Sequence, residues 1–187
     1  MKIVISESQY NRLIEDKEEE QKVLRIPSLK IFDDDWFVLQ KFLELKGNPP
    51  YSIGEHLDLR DLPIKSLGNL KSVGGDLYLE RTPIKSLGNL QSINGDLYLG
   101  GTIIKSLGNL TYVGGFLDLR RTPIESLGNL QSVGGDLDLF GAQIKSLGNL
   151  QSVGGYLDFR STPLSDMYTK EQILQGVNVG DDIYYLS

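Results

Sequence analysis

From Ile53 onward the apolar residues fall at intervals that repeat every 20 residues. In one unit, Gly74 to Ile93, they are Leu77, Leu79, Ile84, Leu87, Leu90 and Ile93. Leu77 and Leu79 have the spacing of a strand with alternate side chains inward. The other four recur every third residue, which suits a tight 3₁₀-like or extended return better than an α-helix. Gly74-Gly75 precedes the strand, where a sharp bend is needed. Ser-Leu-Gly-Asn-Leu recurs letter for letter at 66–70, 86–90, 106–110, 126–130 and 146–150. This self-similarity predicts a solenoid whose coils bury their apolar faces only against their neighbours.

The flanks follow other patterns. Lys2 to Ile5 reads as a short strand, and Ser6 with Gln9 as a capping box opening a helix with Tyr10, Leu13 and Ile14 on one face. The acidic run Glu15 to Glu20 reads as a solvated face. Residues 1–27 are thus a charged extension, and residues 28–52 a helical N-terminal cap. There Asp33, Asp34 and Asp35 put negative charge at a helix start. Trp36, Phe37, Val38, Leu39, Phe42, Leu43 and Leu45 follow, and Gly47-Asn48-Pro49-Pro50 ends the helix. An open solenoid end exposes an apolar rung, which Trp36, Phe37 and Phe42 would cover. The solenoid occupies 53–168, with Leu164 and Met167 still in register. Residues 169–187 form a small C-terminal cap: a short helix from Thr169 to Leu174, then a last strand in which Val179 to Tyr184 matches Val73 to Tyr78 after a six-residue insertion.

The run Leu77-x-Leu79-x-x-Thr82-x-Ile84 resembles the L-x-L-x-x-N-x-L core of leucine-rich repeats, over roughly residues 53–167. The resemblance implies an α/β solenoid, a right-handed stack of about six coils with one parallel sheet. The chain looks similar to small leucine-rich-repeat proteins of bacteria and tailed bacteriophages, which also carry a helix before the first repeat. The chain departs from the family at the asparagine position, which holds Thr82, Thr102, Thr122 and Thr162, with Leu62 and Ala142 in two coils. Asn69, Asn89, Asn109, Asn129 and Asn149, on the other side of the coil, are candidates for a substitute ladder. A pentapeptide-repeat helix also has 20 residues per coil, but its inward positions recur every five residues.

Composition narrows the chemistry. The formal charge of −6 and pI near 4.8 disfavour nucleic acid and anionic membranes. The chain has no cysteine, and His56 is its one histidine. No Ser-His-Asp pattern, His/Cys metal cluster or Gly-Lys-Ser/Thr phosphate loop is present. These features point away from an enzyme and imply no cofactor and no metal site. The start MKIVISESQY is too short in apolar residues for a signal peptide, and no run approaches a membrane helix, so a cytoplasmic location is expected, in a host cell or a virion if a phage encodes the chain.

The positions that the repeat leaves free carry the candidate function. Residues between the inward leucines point outward and form columns, because successive strands lie ~4.7–4.9 Å apart. One column reads Asp58, Tyr78, Tyr98, Asp118, Asp138, Asp158, then Tyr184. A second reads His56, Asp76, Asp96, Phe116, Asp136, Tyr156. The third is Arg60, Glu80, Gly100, Arg120, Phe140, Arg160. Aromatic residues and arginine are the usual anchors of interfaces. Tyr78, Tyr98, Phe116, Asp118, Arg120, Asp138, Phe140, Tyr156, Asp158 and Arg160 are therefore the candidate partner-binding residues of a monomeric module that binds another protein. A glycan-binding module using the same rings and carboxylates, and a structural component of a virus particle, are the alternatives. The three stacked aspartates create repulsion that Arg120, Arg121 and Arg160 could relieve. Lys65, Lys85, Lys105 and Lys145, interrupted by Glu125, form a column read as a solubility feature.

Overall fold

The computed structural model describes residues 23–185, so the expectations for Lys2–Ile5, the Ser6/Gln9 helix start and the Glu15–Glu20 run lie outside the described residues. The chain is a parallel β-solenoid of about five turns. Each coil lays down two very short strands, such as Ser92–Ile93 and Leu97–Tyr98, separated by a bend at the intervening Asn94-Gly95. Their stacking builds two sheets where one was expected. Sheet I has eight strands, from Leu24–Ile26 to Asn178–Val179, and sheet II has seven, from Leu57–Asp58 to Ile183–Tyr184. The missed sheet lies on the return side of the coil. Its strands carry inward residues such as Ile93, which lies three positions after inward Leu90, so the sequence shows no period-two alternation there.

All pairing is parallel, and within the repeats it keeps the 20-residue register: Leu77 faces Leu97, which faces Leu117, and Val133 faces Val153. The inward leucines of sheet II, the Ile84, Leu87 and Leu90 set and the Val/Ile of sheet I form one continuous buried core. The six-residue insertion also sits as read, with Val153 opposite Val179 and Asp158 opposite Tyr184.

Three local devices recur along the stack. The serine of Ser-Leu-Gly-Asn-Leu accepts a hydrogen bond from the glycine amide two residues on (Gly68 to Ser66 Oγ, 3.0 Å), and the glycine takes a left-handed φ near +60°. At the family's asparagine position, Thr82, Thr102, Thr122 and Thr162 are buried, each donating from Oγ1 to the carbonyl three residues before at 2.7 Å. A buried hydroxyl is thereby satisfied within its own coil. The asparagines make varied bonds in place of one uniform ladder: Asn89 donates to Asn69 Oδ1 at 3.0 Å, Asn69 to the Asn48 carbonyl and Asn129 to the Gly108 carbonyl.

The ends are more irregular. Helix α1, Trp36–Leu45, starts at Asp35, whose carboxylate accepts from the Phe37 and Val38 amides. It buries Trp36, Leu39, Phe42 and Leu43, a stripe at 3–4 residue spacing. Phe37, expected to help cover the first rung, falls on the opposite face and is 51% exposed. Gln40 on α1 donates to the buried Tyr51 hydroxyl, which donates to the Leu67 carbonyl, tying the helix to the first coil. Strand Leu24–Ile26 extends sheet I beyond the repeats by pairing with Tyr51–Ile53. Near the C-terminal end, Pro163–Met167 forms a second helix, α2, where the repeat register was expected to continue. Thr162 caps it and Pro163 occupies its first turn. Lys170–Ile173, α3, opens with the Thr169/Gln172 capping box. Among the described residues no helix is long and apolar enough to cross a membrane.

Candidate binding face

Sheet II turns its leucines inward and its three columns outward, as the alternation requires. The columns do different work. In the column His56, Asp76, Asp96, Phe116, Asp136, Tyr156, the histidine and the three aspartates each accept the amide of the equivalent residue one coil on. Asp96 N–H donates to Asp76 Oδ1 at 2.8 Å, Phe116 N–H to Asp96 Oδ1 at 2.7 Å and Tyr156 N–H to Asp136 Oδ1 at 3.0 Å. His56 plays the same part for the Asp76 amide, at 2.9 Å. The Asp96 amide, more than any other group, holds the Asp76 carboxyl below the usual range.

The second carboxylate oxygen of this column positions aromatic rings. Tyr78 OH donates to Asp76 and Tyr98 OH to Asp96, both at 3.0 Å. Burial and the Asp96 carboxylate push the Tyr98 phenol up to about 12. The two rings stack at 4.9 Å with planes 3° apart, Phe116 meets Tyr98 edge-on at 5.8 Å, and the Arg60 guanidinium lies 5.0 Å from the Tyr78 ring. Farther along, Tyr156 meets Tyr184 edge-on at 5.6 Å. Phe140 has the guanidiniums of Arg160 and Arg121 near its ring, at 5.6 and 6.0 Å.

The aspartate column is buried: Asp118, Asp138 and Asp158 are 3%, 8% and 4% exposed. Arginine neutralises most of it through a spacing present in the sequence, Asp-x-Arg. Arg120 Nε and Nη2 donate to the two Asp118 oxygens at 3.0 and 2.8 Å. Arg160 binds Asp158, and Arg60 binds Asp58, with the same fork. Arg60 holds the Asp58 carboxyl below its ordinary range. Arg121, expected to share in neutralising the column, lies over Phe140 instead. Asp138 has Phe140 where its neighbours have arginine. Burial, followed by the charges of Asp158 and Asp118, raises its carboxyl, which the Phe140 amide and Arg120 only partly offset.

These groups line an open groove of about 690 Å³ that runs from Glu80 and Arg81 to Arg160. Gly100 and Gly101 lie between those walls and put no side chain into it. The sequence reading did not bring Arg81 or the Gly100-Gly101 floor into the site. The available signal was two adjacent glycines at positions that carry Glu80-Arg81 and Arg120-Arg121 in neighbouring coils. Among the described residues no group of three or more His, Asp or Glu side chains is arranged to hold a metal ion. Comparison of the chain with protein-family models, curated proteins and solved structures gives no match.

The raised Asp138 carboxyl has a stability consequence with a definite sign. A group whose pKa is higher folded than unfolded binds more protons in the native state, so stability falls as pH rises from its unfolded value through its folded one. Asp138→Asn is therefore expected to raise Tm at pH 7. The difference shrinks as pH falls through the Asp138 titration and the wild-type carboxyl takes up its proton. Melts from pH 3 to 8 check it, and a variant less stable than wild type at pH 7 contradicts it.

Proposed function

We propose that the protein is a non-enzymatic module that holds another protein against the outward face of sheet II. The observation that supports this is the ordered ladder of rings and guanidiniums on that face. Arg60, Tyr78, Tyr98 and Phe116 stack in sequence, and Phe140, Arg160 and Tyr184 form a second group. Contacts within the ladder fix these side chains before a partner arrives, which lowers the entropy lost on binding. The same contacts weigh against a glycan module. Sugar stacking needs free ring faces, whereas Tyr98 and Tyr78 cover one another and Arg60 or Phe116 takes the far side of each.

In this reading the stack is a right-handed, leucine-rich-repeat-like array of about six coils. Helix α1 covers its first rung and the segment from Thr169 its last. It works as a monomer without cofactor, in the cytoplasm of a bacterium or, if a phage encodes it, of the infected host. Simultaneous replacement of Tyr78, Tyr98 and Phe140 by Ala is expected to leave far-UV circular dichroism intact and weaken capture of the partner at least 30-fold. Truncated interface anchors of this kind cost ~2 kcal/mol or more each. Replacing Lys65, Lys85 and Lys105 by Gln is the control. Loss of capture with the lysine set and not the aromatic set contradicts the proposal.

A further inference from the structure

The repeat provides its own comparison at the aspartate column. In three coils the aspartate is paired in the same way: one oxygen accepts the amide two residues on, and the arginine there closes a fork on the carboxylate. In the coil of Asp138 the first half of this arrangement is intact. Phe140 N–H donates to Asp138 Oδ1 at 3.0 Å, the distance found for Arg120 on Asp118 and Arg160 on Asp158. The second half is missing. Asp138 Oδ2, on a side chain that is 12% exposed, has only Arg120 Nε at 3.5 Å, and that nitrogen is already bonded to Asp118.

The groove in front of it is lined by four arginines and four carboxylates, but these are not all paired with one another. Of its four arginines, Arg120 and Arg160 are committed to Asp118 and Asp158, and Arg81 to Asp61. Arg121 lies over Phe140. Two carboxylates remain without a cation of their own: Asp138, and Glu80, whose buried Oε2 has no hydrogen-bond partner.

We infer that Asp138 is the docking point for an arginine side chain of the bound protein, which completes from outside the Asp–Arg pair that other coils complete from within. The inference rests on the protein-binding reading and gives it a chemistry. A guanidinium fits better than an ammonium because the missing partner is one that a planar two-pronged donor supplies in the sister coils. The absent side chains at Gly100 and Gly101 leave the approach open.

The probe is N-acetyl-arginine-N-methylamide, titrated into the full chain and followed by amide NMR shifts. The lysine and glutamate analogues and maltose are titrated in parallel. Saturable shifts centred on Asp138 and Phe140 are expected for the arginine probe, with weaker ones for lysine and none for glutamate or maltose. Asp138→Asn should weaken the arginine probe at least tenfold and Glu80→Gln less than twofold. Phe140→Arg should restore the internal pair, raise Tm by at least 3 °C and abolish the response. No saturable response to arginine, preference for glutamate or maltose, or equal losses in Asp138→Asn and Glu80→Gln overturns the inference. So does an undiminished response in a folded Phe140→Arg variant. The two readings fail separately. Capture sensitive to the Tyr78/Tyr98/Phe140 set without an arginine response removes only this inference, while an arginine response at Asp138 with insensitive capture removes only the broader one.

Discussion

Deleting residues 94–113 is expected to give a shorter protein that still folds and melts cooperatively, whereas deleting 94–103 is expected to leave no cooperative transition. The first deletion joins Ile93 to Gly114, the same junction that Val73 makes with Gly74, and brings sheet II strand Leu117–Asp118 opposite Leu77–Tyr78. Each coil contacts mainly its neighbours, so stability is close to a sum of coil and interface contributions, and the shortened stack loses one of each. The second deletion sets the inward positions of the return against those of a strand. It also removes strand Leu97–Tyr98, so the Leu77 and Leu79 amides lose the Asp96 and Tyr98 carbonyls that accept them. Buried polar groups then lose partners throughout a coil, at ~1–3 kcal/mol each, which is a large share of the stability of any domain. Far-UV circular dichroism and thermal melts of both chains decide the matter. Comparable stability of the two would be incompatible with a 20-residue packing unit.

The apolar skeleton was legible because its signal repeats. Leu77, Leu79, Ile84, Leu87, Leu90 and Ile93 were all read as inward, and all are buried. The final strand around Ile183 was also legible across its insertion, since Val179-Gly180 restates Val73-Gly74. Sheet I was not, because its inward Ile93 follows Leu90 at a spacing of three, whereas sheet II shows Leu77 and Leu79 at the spacing of two that marks a strand. The missed helix at Pro163–Met167 begins with the same Thr-Pro pair as Thr82-Pro83 and Thr122-Pro123, which open no helix; the difference lies in the Ser165-Asp166-Met167 that follows.

The binding face was legible as a set of outward residues but not in its division of labour. Asp76, Asp96 and Asp136 look like members of a variable surface column, yet they join coil to coil through backbone amides. That role shows only when the strands are placed 20 residues apart in register. The Asp-x-Arg spacing of Asp58/Arg60, Asp118/Arg120 and Asp158/Arg160 was open to inspection. Reading the three columns separately hid it, and with it the exception at Asp138 and Phe140.

Gly95→Ala is expected to lower Tm by about 5–10 °C, although the substitution adds a single methyl group. Bends at the coil corners were expected, but Gly95 is not among the residues with positive φ, so conformational freedom is not what it provides. Close approach is. A Cβ at Gly95 would lie 2.1 Å from Asp76 Oδ1 and within 3 Å of the Gly75 carbonyl carbon and the Asp76 nitrogen. Asp76 must then swing away, releasing the Asp96 amide and the Tyr78 hydroxyl, while the backbone of two coils is pushed apart. Lost hydrogen bonds and local overpacking together amount to ~2–3 kcal/mol, hence the Tm shift in a chain of this size. The same clash recurs where Gly115 faces Asp96 and Gly155 faces Asp136, so the glycine is tied to the aspartate one coil earlier. Two comparisons isolate the cause. Gly101→Asn should change Tm by no more than ~2 °C, because a Cβ there meets nothing within 4 Å and Arg81, Arg121 and Ser161 hold the equivalent position at the same positive φ. Asp76→Ala should itself lower Tm, and the Asp76→Ala/Gly95→Ala pair should fall well short of additive, since both changes break the same bond. Strict additivity in that cycle, measured by thermal melts, would mean that the glycine and the aspartate are independent and that the methyl is costly for another reason.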